Sequence, residues 1–171
     1  MVLIVCGLAD VPGVIAARRP SHMVTLLDPT TMIDTPDGVS PDRHLKLGVN
    51  DIVTPMDGMT APDERLVQQL MNFGETWDEC APMLIHCWAG ISRSTASAFA
   101  IACARNPEAA EFEIAQTLRS LAPHAFPNRR IVALADDWLG RGGRMVDAVE
   151  AIGGNGYVSM GSPFDLPARH R

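Results

Sequence analysis

Short apolar segments alternate with helical patterns along most of this chain, and this alternation constrains the fold more than any other feature. Short apolar segments predict strands at residues 2–6, 22–27 and 82–86, and the first of them is also β-branched. Residues 44–49 alternate between polar and apolar side chains, which predicts a half-exposed strand. Amphipathic or alanine-rich segments predict helices at residues 10–19, 60–77, 93–105, 108–121 and 131–139. Strands that alternate with helices form parallel βαβ units. The sequence therefore predicts an α/β fold, a single domain with a mostly parallel central sheet flanked by helices.

Length and composition set the limits on what this domain can be. The chain has 171 residues, 47% of them apolar and 20% charged, which indicates one globular domain with its own core. We place the domain at residues 1–152 and predict a loosely ordered tail at 153–171, where glycine, serine and proline show little periodicity. The net charge of −6 disfavours a surface for nucleic acid or anionic lipid. No apolar run approaches the ~18 residues of a membrane span.

Cysteine usage and the N-terminus bear on the compartment. The four cysteines contain no C-x-x-C pair, so zinc knuckles and a secreted disulfide framework are poor interpretations. Asp10 follows the first apolar segment at once and no basic leader precedes it, which disfavours a signal peptide. The sequence thus predicts a reduced, cytoplasmic protein.

The segment that carries chemistry is His-Cys-Trp-Ala-Gly-Ile-Ser-Arg-Ser at residues 86–94. It connects a predicted strand to a predicted helix, where α/β sheets hold their ligands. Backbone amides and the positive end of the helix suit such a loop to an anion. Cys87 at its mouth would be stabilised as the nucleophilic thiolate, Gly90 permits a tight turn, and Arg93 offers a planar fork for two phosphate oxygens. These features predict a phosphate site that contains a nucleophile.

This His-Cys-x5-Arg-Ser pattern resembles the phosphate loop of the protein tyrosine phosphatase superfamily, and the short chain is most similar to its dual-specificity branch and small bacterial relatives. The resemblance implies a cysteinyl-phosphate mechanism without a metal or other cofactor. Cys87 would attack phosphorus, Ser94 would help Cys87 leave, and His86 would order the loop and favour the thiolate. The phosphate would be bound by the loop residues Trp88, Ala89, Gly90, Ile91, Ser92 and Arg93.

The resemblance also implies a general acid shortly after the strand at 44–49. Asp51 follows Asn50 there, as in dual-specificity phosphatases, and we choose it over two other aspartates. Asp57 precedes Gly58 in a turn signal, and Asp63 is explained as a helix cap after Thr60. Because the loop could bring Asp57 closer, the choice between Asp51 and Asp57 stays open. The Pro-Asn step before the helix at 131–139 also matches the family, and its Asn128 would brace the phosphate loop.

The main hypothesis is therefore a phosphomonoester hydrolase of the tyrosine or dual-specificity type, acting on a phosphorylated protein or a small phosphomonoester. A phosphatase for a small molecule or a phosphoinositide is an alternative, although the loop has no extra lysine to meet additional phosphates. Two hypotheses from different classes are a phosphate-binding module without catalysis and an oxyanion reductase or sulfur-transfer enzyme. Cys80 could form a protective disulfide with Cys87 under oxidation. His86 as a metal ligand is disfavoured because no second ligand stands at the right spacing.

Overall fold

The computed structural model describes residues 1–154 and 156–170. Its five-stranded sheet has the order β3-β2-β4-β1-β5, in which the first four strands run parallel and β5 runs antiparallel to β1. The strands are β1 (Val2–Gly7), β2 (His22–Leu27), β3 (His44–Gly48), β4 (Met83–Cys87) and β5 (Phe164–Pro167). The predicted single-domain α/β fold with a mostly parallel sheet is confirmed.

The helices cover the two faces of the sheet unequally. They are α1 (Val11–Arg18), α2 (Glu64–Thr76), α3 (Arg93–Arg105), α4 (Glu111–Leu121), α5 (Arg129–Leu139) and α6 (Arg144–Ile152). Helices α2–α6 form the larger core against one face, with alanine-rich α3 at its centre, where small side chains allow close packing on the strands. The other face packs a smaller cluster against α1 and the loop that contains Val39. No helix in the described ranges has the length and apolarity needed to cross a membrane.

Two elements of the structure differ from the sequence-based prediction. The prediction of a loosely ordered tail at 153–171 is wrong for residues 164–167, which pair with β1 as β5 and bury Leu166 completely. Their order comes from the partner strand at the other end of the chain, which no local pattern reveals. Helix α6 was not predicted at all. Asn155 and Arg171, which the tail prediction also covers, lie outside the described residues.

Several helices begin a few residues away from their predicted first residues. Helix α2 begins at Glu64 rather than near Thr60, because Asp63 is itself the N-cap and accepts a hydrogen bond from the Leu66 amide at 2.8 Å. Helix α4 begins at Glu111, three residues later than predicted. Helix α3 has the predicted bounds.

The parallel strands bring several loops to one edge of the sheet. Because β1 to β4 all run in the same direction, the segments that follow Gly7, Leu27, Gly48 and Cys87 leave the sheet at the same edge. The segment after β4 is the cysteine loop, and its neighbours in the sheet order supply the surrounding walls.

Candidate functional site

The loop between β4 and α3 has its backbone carbonyls turned outward. Four of them accept hydrogen bonds from backbone amides of surrounding segments: Trp88 O from Leu8 at 3.1 Å, Ala89 O from Gly161 at 2.8 Å, Ile91 O from Phe126 at 2.8 Å and Ser92 O from Asn128 at 3.2 Å. All described peptide bonds are trans, so the amide that follows each carbonyl points the opposite way. The loop therefore turns several N–H groups toward its interior, which is the arrangement that binds an anion.

Gly90 allows this loop to lie directly on the end of β1. Its φ is +72°, and a Cβ atom there would stand 2.6 Å from the Cys6 carbonyl carbon and 2.7 Å from the Gly7 amide nitrogen. Both of those atoms belong to the backbone of a central strand and cannot move aside. Only glycine fits, as the sequence pattern predicted.

Cys87, Ser94 and Arg93 lie together at the junction of the loop with α3. The Cys87 Sγ and Ser94 Oγ atoms are 3.1 Å apart, so the hydroxyl can donate to a thiolate. Arg93 is 7% exposed and donates from Nη1 to the Val49 carbonyl at 2.8 Å. Its Nε is buried without a hydrogen-bond partner in the part of the chain that the structure describes. A buried donor of this kind is costly unless a bound acceptor satisfies it.

His86 is fully buried and begins a line of hydrogen bonds on the face of the sheet that α1 covers. Its Nδ1 is 3.3 Å from the Cys87 carbonyl and its Nε2 is 2.7 Å from Thr25 Oγ1. Thr25 Oγ1 also contacts His44 Nε2 at 2.7 Å, and His44 Nδ1 contacts Thr35 Oγ1 at 2.9 Å. We call His86, Thr25, His44 and Thr35 the histidine chain. Burial lowers the pKa of His86 and of His44 to about 4, so both rings are neutral near pH 7.

Asp51 lies at the rim of the loop. Its Oδ1 accepts from Ser92 Oγ at 2.7 Å and from Asn128 Nδ2 at 2.8 Å. Asn128 thus contacts the aspartate with its side chain and the loop with its backbone amide. Asn50 pins the same segment, because its side chain donates to Asp28 and accepts from the Thr60 amide.

The competing aspartates are placed differently. Asp57 is exposed in the turn that Met56 and Met59 close by a 3.2 Å hydrogen bond, and Asp63 caps α2. Of the three, Asp51 is the one whose carboxylate is hydrogen-bonded to the cysteine loop.

A cleft of about 810 Å³ opens beside Asp51 and Ser92. Its walls are largely apolar and include the exposed side chains of Val53, Met56 and Phe126. Trp88, the second residue of the loop, is also exposed. The mouth of the candidate site is therefore apolar beside a polar floor.

The remaining cysteines do not support a disulfide with Cys87. All four thiols are free, and Cys80 precedes β4 whereas Cys87 is its last residue. At roughly 3.3 Å per residue, β4 places Cys87 about 13 Å from Met83, so Cys80 lies in the loop at the opposite end of the strand from Cys87. Burial raises the pKa of the Cys6 and Cys103 thiols to about 12, which makes both unreactive. Within the described residues, no three His, Cys, Asp or Glu side chains are grouped as metal ligands.

Sequence reasoning missed several residues of this site. It did not assign a role to Thr25 or His44, although a threonine inside the largely apolar β2 is a usable signal. It also missed the Gly161 amide and the Val49 carbonyl, because a backbone group has no sequence signature.

Comparison with solved structures identifies the fold. No protein-family model matches the chain, and no curated protein sequence matches it. The crystal structure of DUSP15 matches at 16% identity with a TM-score of 0.60, covering 86% of this chain and 88% of that one. A mouse dual-specificity phosphatase complexed with zinc tungstate matches at 17% identity with a TM-score of 0.53, covering 82% and 79%. The chain therefore has the fold of the dual-specificity phosphatases, as the cysteine loop predicted.

Proposed function

We propose that this protein is a cysteine-dependent phosphomonoester hydrolase that acts on phosphotyrosine. The observation that carries the proposal is the convergence on one loop of inward-pointing amides, the Cys87 thiol and the buried Nε of Arg93, which has no partner among the described residues. A phosphoryl group has the charge and the acceptor oxygens that these donors require. Similarity to dual-specificity phosphatase structures supports a phosphatase function, and one of them holds tungstate, a tetrahedral anion like phosphate.

In the first step, the Cys87 thiolate attacks phosphorus and the bond from phosphorus to the substrate oxygen breaks. Asp51, in its protonated form, gives its proton to the leaving oxygen. The loop amides and Arg93 bind the equatorial oxygens, where negative charge is held in the transition state. The products of this step are the free alcohol or phenol and a cysteinyl phosphate.

In the second step, water attacks the cysteinyl phosphate and the bond from sulfur to phosphorus breaks. Asp51 accepts the proton of the water, and inorganic phosphate leaves. The Ser94 hydroxyl donates a hydrogen bond to the departing Cys87 thiolate across the 3.1 Å contact and so stabilises it. His86 and Asn128 serve this chemistry indirectly by holding the loop.

The apolar mouth of the site favours an aromatic phosphate over other substrates. A phenyl ring and apolar neighbouring residues can pack in the cleft beside Val53, Met56 and Phe126. A phosphoinositide with several phosphates would instead need further cations, and the chain carries a net charge of −6. A small aryl phosphate is the second candidate substrate.

Hydrolysis of p-nitrophenyl phosphate in excess chelator, with and without vanadate, tests the proposal. We expect metal-independent turnover that vanadate blocks, and Cys87→Ser should abolish it while retaining the fold. Cys103→Ser is the matched control, since Cys103 is also buried but lies outside the site. Wild-type rates in Cys87→Ser would exclude the covalent mechanism. Binding of phosphate without any turnover by the wild type would indicate a binding module, and thiol-coupled arsenate reduction would indicate a reductase.

A further inference from the structure

The histidine chain crosses three neighbouring strands and ends beneath the cysteine loop. Thr25 on β2 pairs in register with His86 on β4, and His44 on β3 pairs with Met23. Met23 faces the smaller core cluster, so Thr25, two residues on, faces the same way. Thr25 and His86 are each 0% exposed and His44 is 8% exposed, so water cannot readily replace a lost partner. The loop residue Thr35 closes the outer end.

The hydrogens of this chain can be assigned from one fixed end. The Cys87 carbonyl can only accept, so His86 Nδ1 must carry the hydrogen. In the neutral ring Nε2 is then an acceptor, and the Thr25 hydroxyl donates to it. The Thr25 oxygen is left to accept from His44 Nε2, and His44 Nδ1 accepts from the Thr35 hydroxyl. Burial keeps both rings neutral near pH 7, and with two neutral rings every polar atom of the four side chains is satisfied only when the rings are in opposite tautomers.

The opposite tautomer of His86 would place two acceptors against each other. If His86 carried its hydrogen on Nε2, its Nδ1 lone pair would face the Cys87 carbonyl oxygen. The carbonyl would then lose its donor, at the residue whose side chain is the proposed nucleophile. Burial is the main reason that the pKa of both rings is lowered, and the positive charges of Lys46, acting on His44, and of Arg93, acting on His86, lower it further.

We propose that His44, held by Thr35 and acting through Thr25, is a positioning residue that fixes His86 in the tautomer that donates to the Cys87 carbonyl. This inference rests on the proposed phosphatase function for its consequence in catalysis. His44 touches neither the loop nor a substrate. It sets the orientation of the first peptide of the loop, and with it the environment of the Cys87 thiol.

Nitrogen-15 NMR of the imidazole rings tests the assignment without any assay of activity. We expect both rings to be neutral at pH 7, with His86 protonated on Nδ1 and His44 on Nε2. The opposite tautomer in either ring would overturn the proposal. Because this measurement does not depend on turnover, the proposed tautomers can be found in a protein that hydrolyses no phosphate, and the two proposals can fail separately.

Isosteric variants of Thr25 test the consequence. Thr25→Val removes the hydroxyl and keeps the β-branched shape, whereas Thr25→Ser keeps the hydroxyl. We expect Thr25→Val to lower kcat by about tenfold or more with little change in KM, and to shift the pH midpoint of Cys87 alkylation by iodoacetamide upward. Thr25→Ser, which keeps the hydroxyl, should retain most of the wild-type kcat and alkylation midpoint. An unchanged alkylation midpoint in Thr25→Val would overturn the positioning role.

A control and a second variant make the test decisive. His22→Phe replaces another buried histidine on β2, which contacts Ser21 and Phe73 and lies outside the histidine chain. We expect it to leave kcat and the alkylation midpoint within twofold of wild type, whatever it does to stability. If Thr25→Val does not fold, Thr35→Val at the half-buried outer end should give a smaller shift in the same direction. No shift in Thr35→Val would then overturn the proposal.

Discussion

Arg93 divides its guanidinium between the protein and the candidate anion site. Nη1 is held by the Val49 carbonyl, and the buried Nε has no protein acceptor among the described residues. This division needs a planar group with separate donors, which a lysine ammonium does not have. The geometry of the side chain, and not only its charge, is therefore what the site requires.

We expect Arg93→Lys to lower kcat/KM for p-nitrophenyl phosphate by about a hundredfold or more, the usual loss for a donor to transition-state charge. Phosphate affinity, measured as product inhibition, should weaken as well. Arg105→Lys is the control, since Arg105 contacts Glu79 and lies at the other end of α3. A rate for Arg93→Lys within twofold of wild type would mean that the guanidinium does not contact the phosphoryl group.

The proposed choice of Asp51 over Asp57 as the general acid also rests on the contacts of single side chains. Asp51 is hydrogen-bonded to Ser92 of the loop, whereas Asp57 lies in an exposed turn. A general acid typically contributes about 10²–10⁴-fold, and most when the leaving group is poor. We expect Asp51→Asn to slow phosphotyrosine hydrolysis much more than that of an activated aryl phosphate, and Asp57→Asn to do neither. A large loss confined to Asp57→Asn would reverse the assignment.

At the scale of elements, the segment before β5 is part of the support of the cysteine loop. The Gly161 amide donates to the Ala89 carbonyl at 2.8 Å. A Cβ on Gly161 would stand 2.6 Å from His124 Cδ2 and 3.0 Å from the Gly90 carbonyl oxygen. The His124 ring is packed edge-on against Phe164 of β5, with its centroid 5.7 Å away, and has little room to retreat.

We expect Gly161→Ala to reduce kcat/KM several-fold, because either His124 or the Gly90 carbonyl must shift. Gly13→Ala in α1 is the control, since a Cβ there meets nothing within 4 Å and alanine favours a helix. Steady-state kinetics and thermal melting of both variants provide the measurement. Full activity of Gly161→Ala together with a lowered Tm would show that this segment stabilises the fold without shaping the loop.

The elements that could be predicted have local signals, and those that could not are stabilised by distant residues. Helix α2 begins at an aspartate whose side chain caps it. Helix α6 begins after Gly143, which has no side chain, and its first amides are capped instead by Asp136 of α5, which accepts from Gly143 at 2.6 Å and from Met145 at 2.7 Å. When the capping side chain belongs to another helix, the sequence next to the capped helix contains no capping residue, and the helix start cannot be recognised from it.

At the scale of the whole molecule, the buried histidines make stability depend on pH. The pKa of His86 is lowered by burial from 6.5 to about 4, and that of His44 moves in the same way. Between about pH 4 and pH 6.5, the unfolded chain therefore binds more protons at these histidines than the folded protein does. Stability from this source is fully present above pH 6.5 and is lost as the pH falls toward 4.

We expect the free energy of unfolding in urea to fall from pH 6.5 to pH 5 by on the order of 1 kcal/mol per pH unit for His86 alone. Carboxylates whose pKa is lowered, such as Glu79 and Glu111, act in the same direction but below about pH 4.5, so this window belongs to the histidines. His44→Gln should flatten the slope. A pH-independent stability across the window would contradict neutral buried rings in the folded protein.

The sequence alone determined the fold class and the identity of the cysteine loop. Strand length, helical periodicity and caps act over a few neighbouring residues, and the Cys87, Gly90 and Arg93 positions are set by spacing within one loop. Asp51 was also proposed from the sequence, through the family resemblance and the expectation that a residue just past a parallel strand emerges at the edge where the loop opens.

Tertiary structure alone decided which distant groups complete the site. The Gly161 amide, the Val49 carbonyl and the pairing of β5 with β1 all depend on contacts between residues far apart in the chain. Thr25 and His44 stand out as polar residues in their strands, but only the sheet order shows that they lie beside His86. Local sequence patterns indicate which helix or strand a residue belongs to, because they depend on neighbouring residues. The hydrogen-bonding partner of that residue is set only when the sheet and helices pack together.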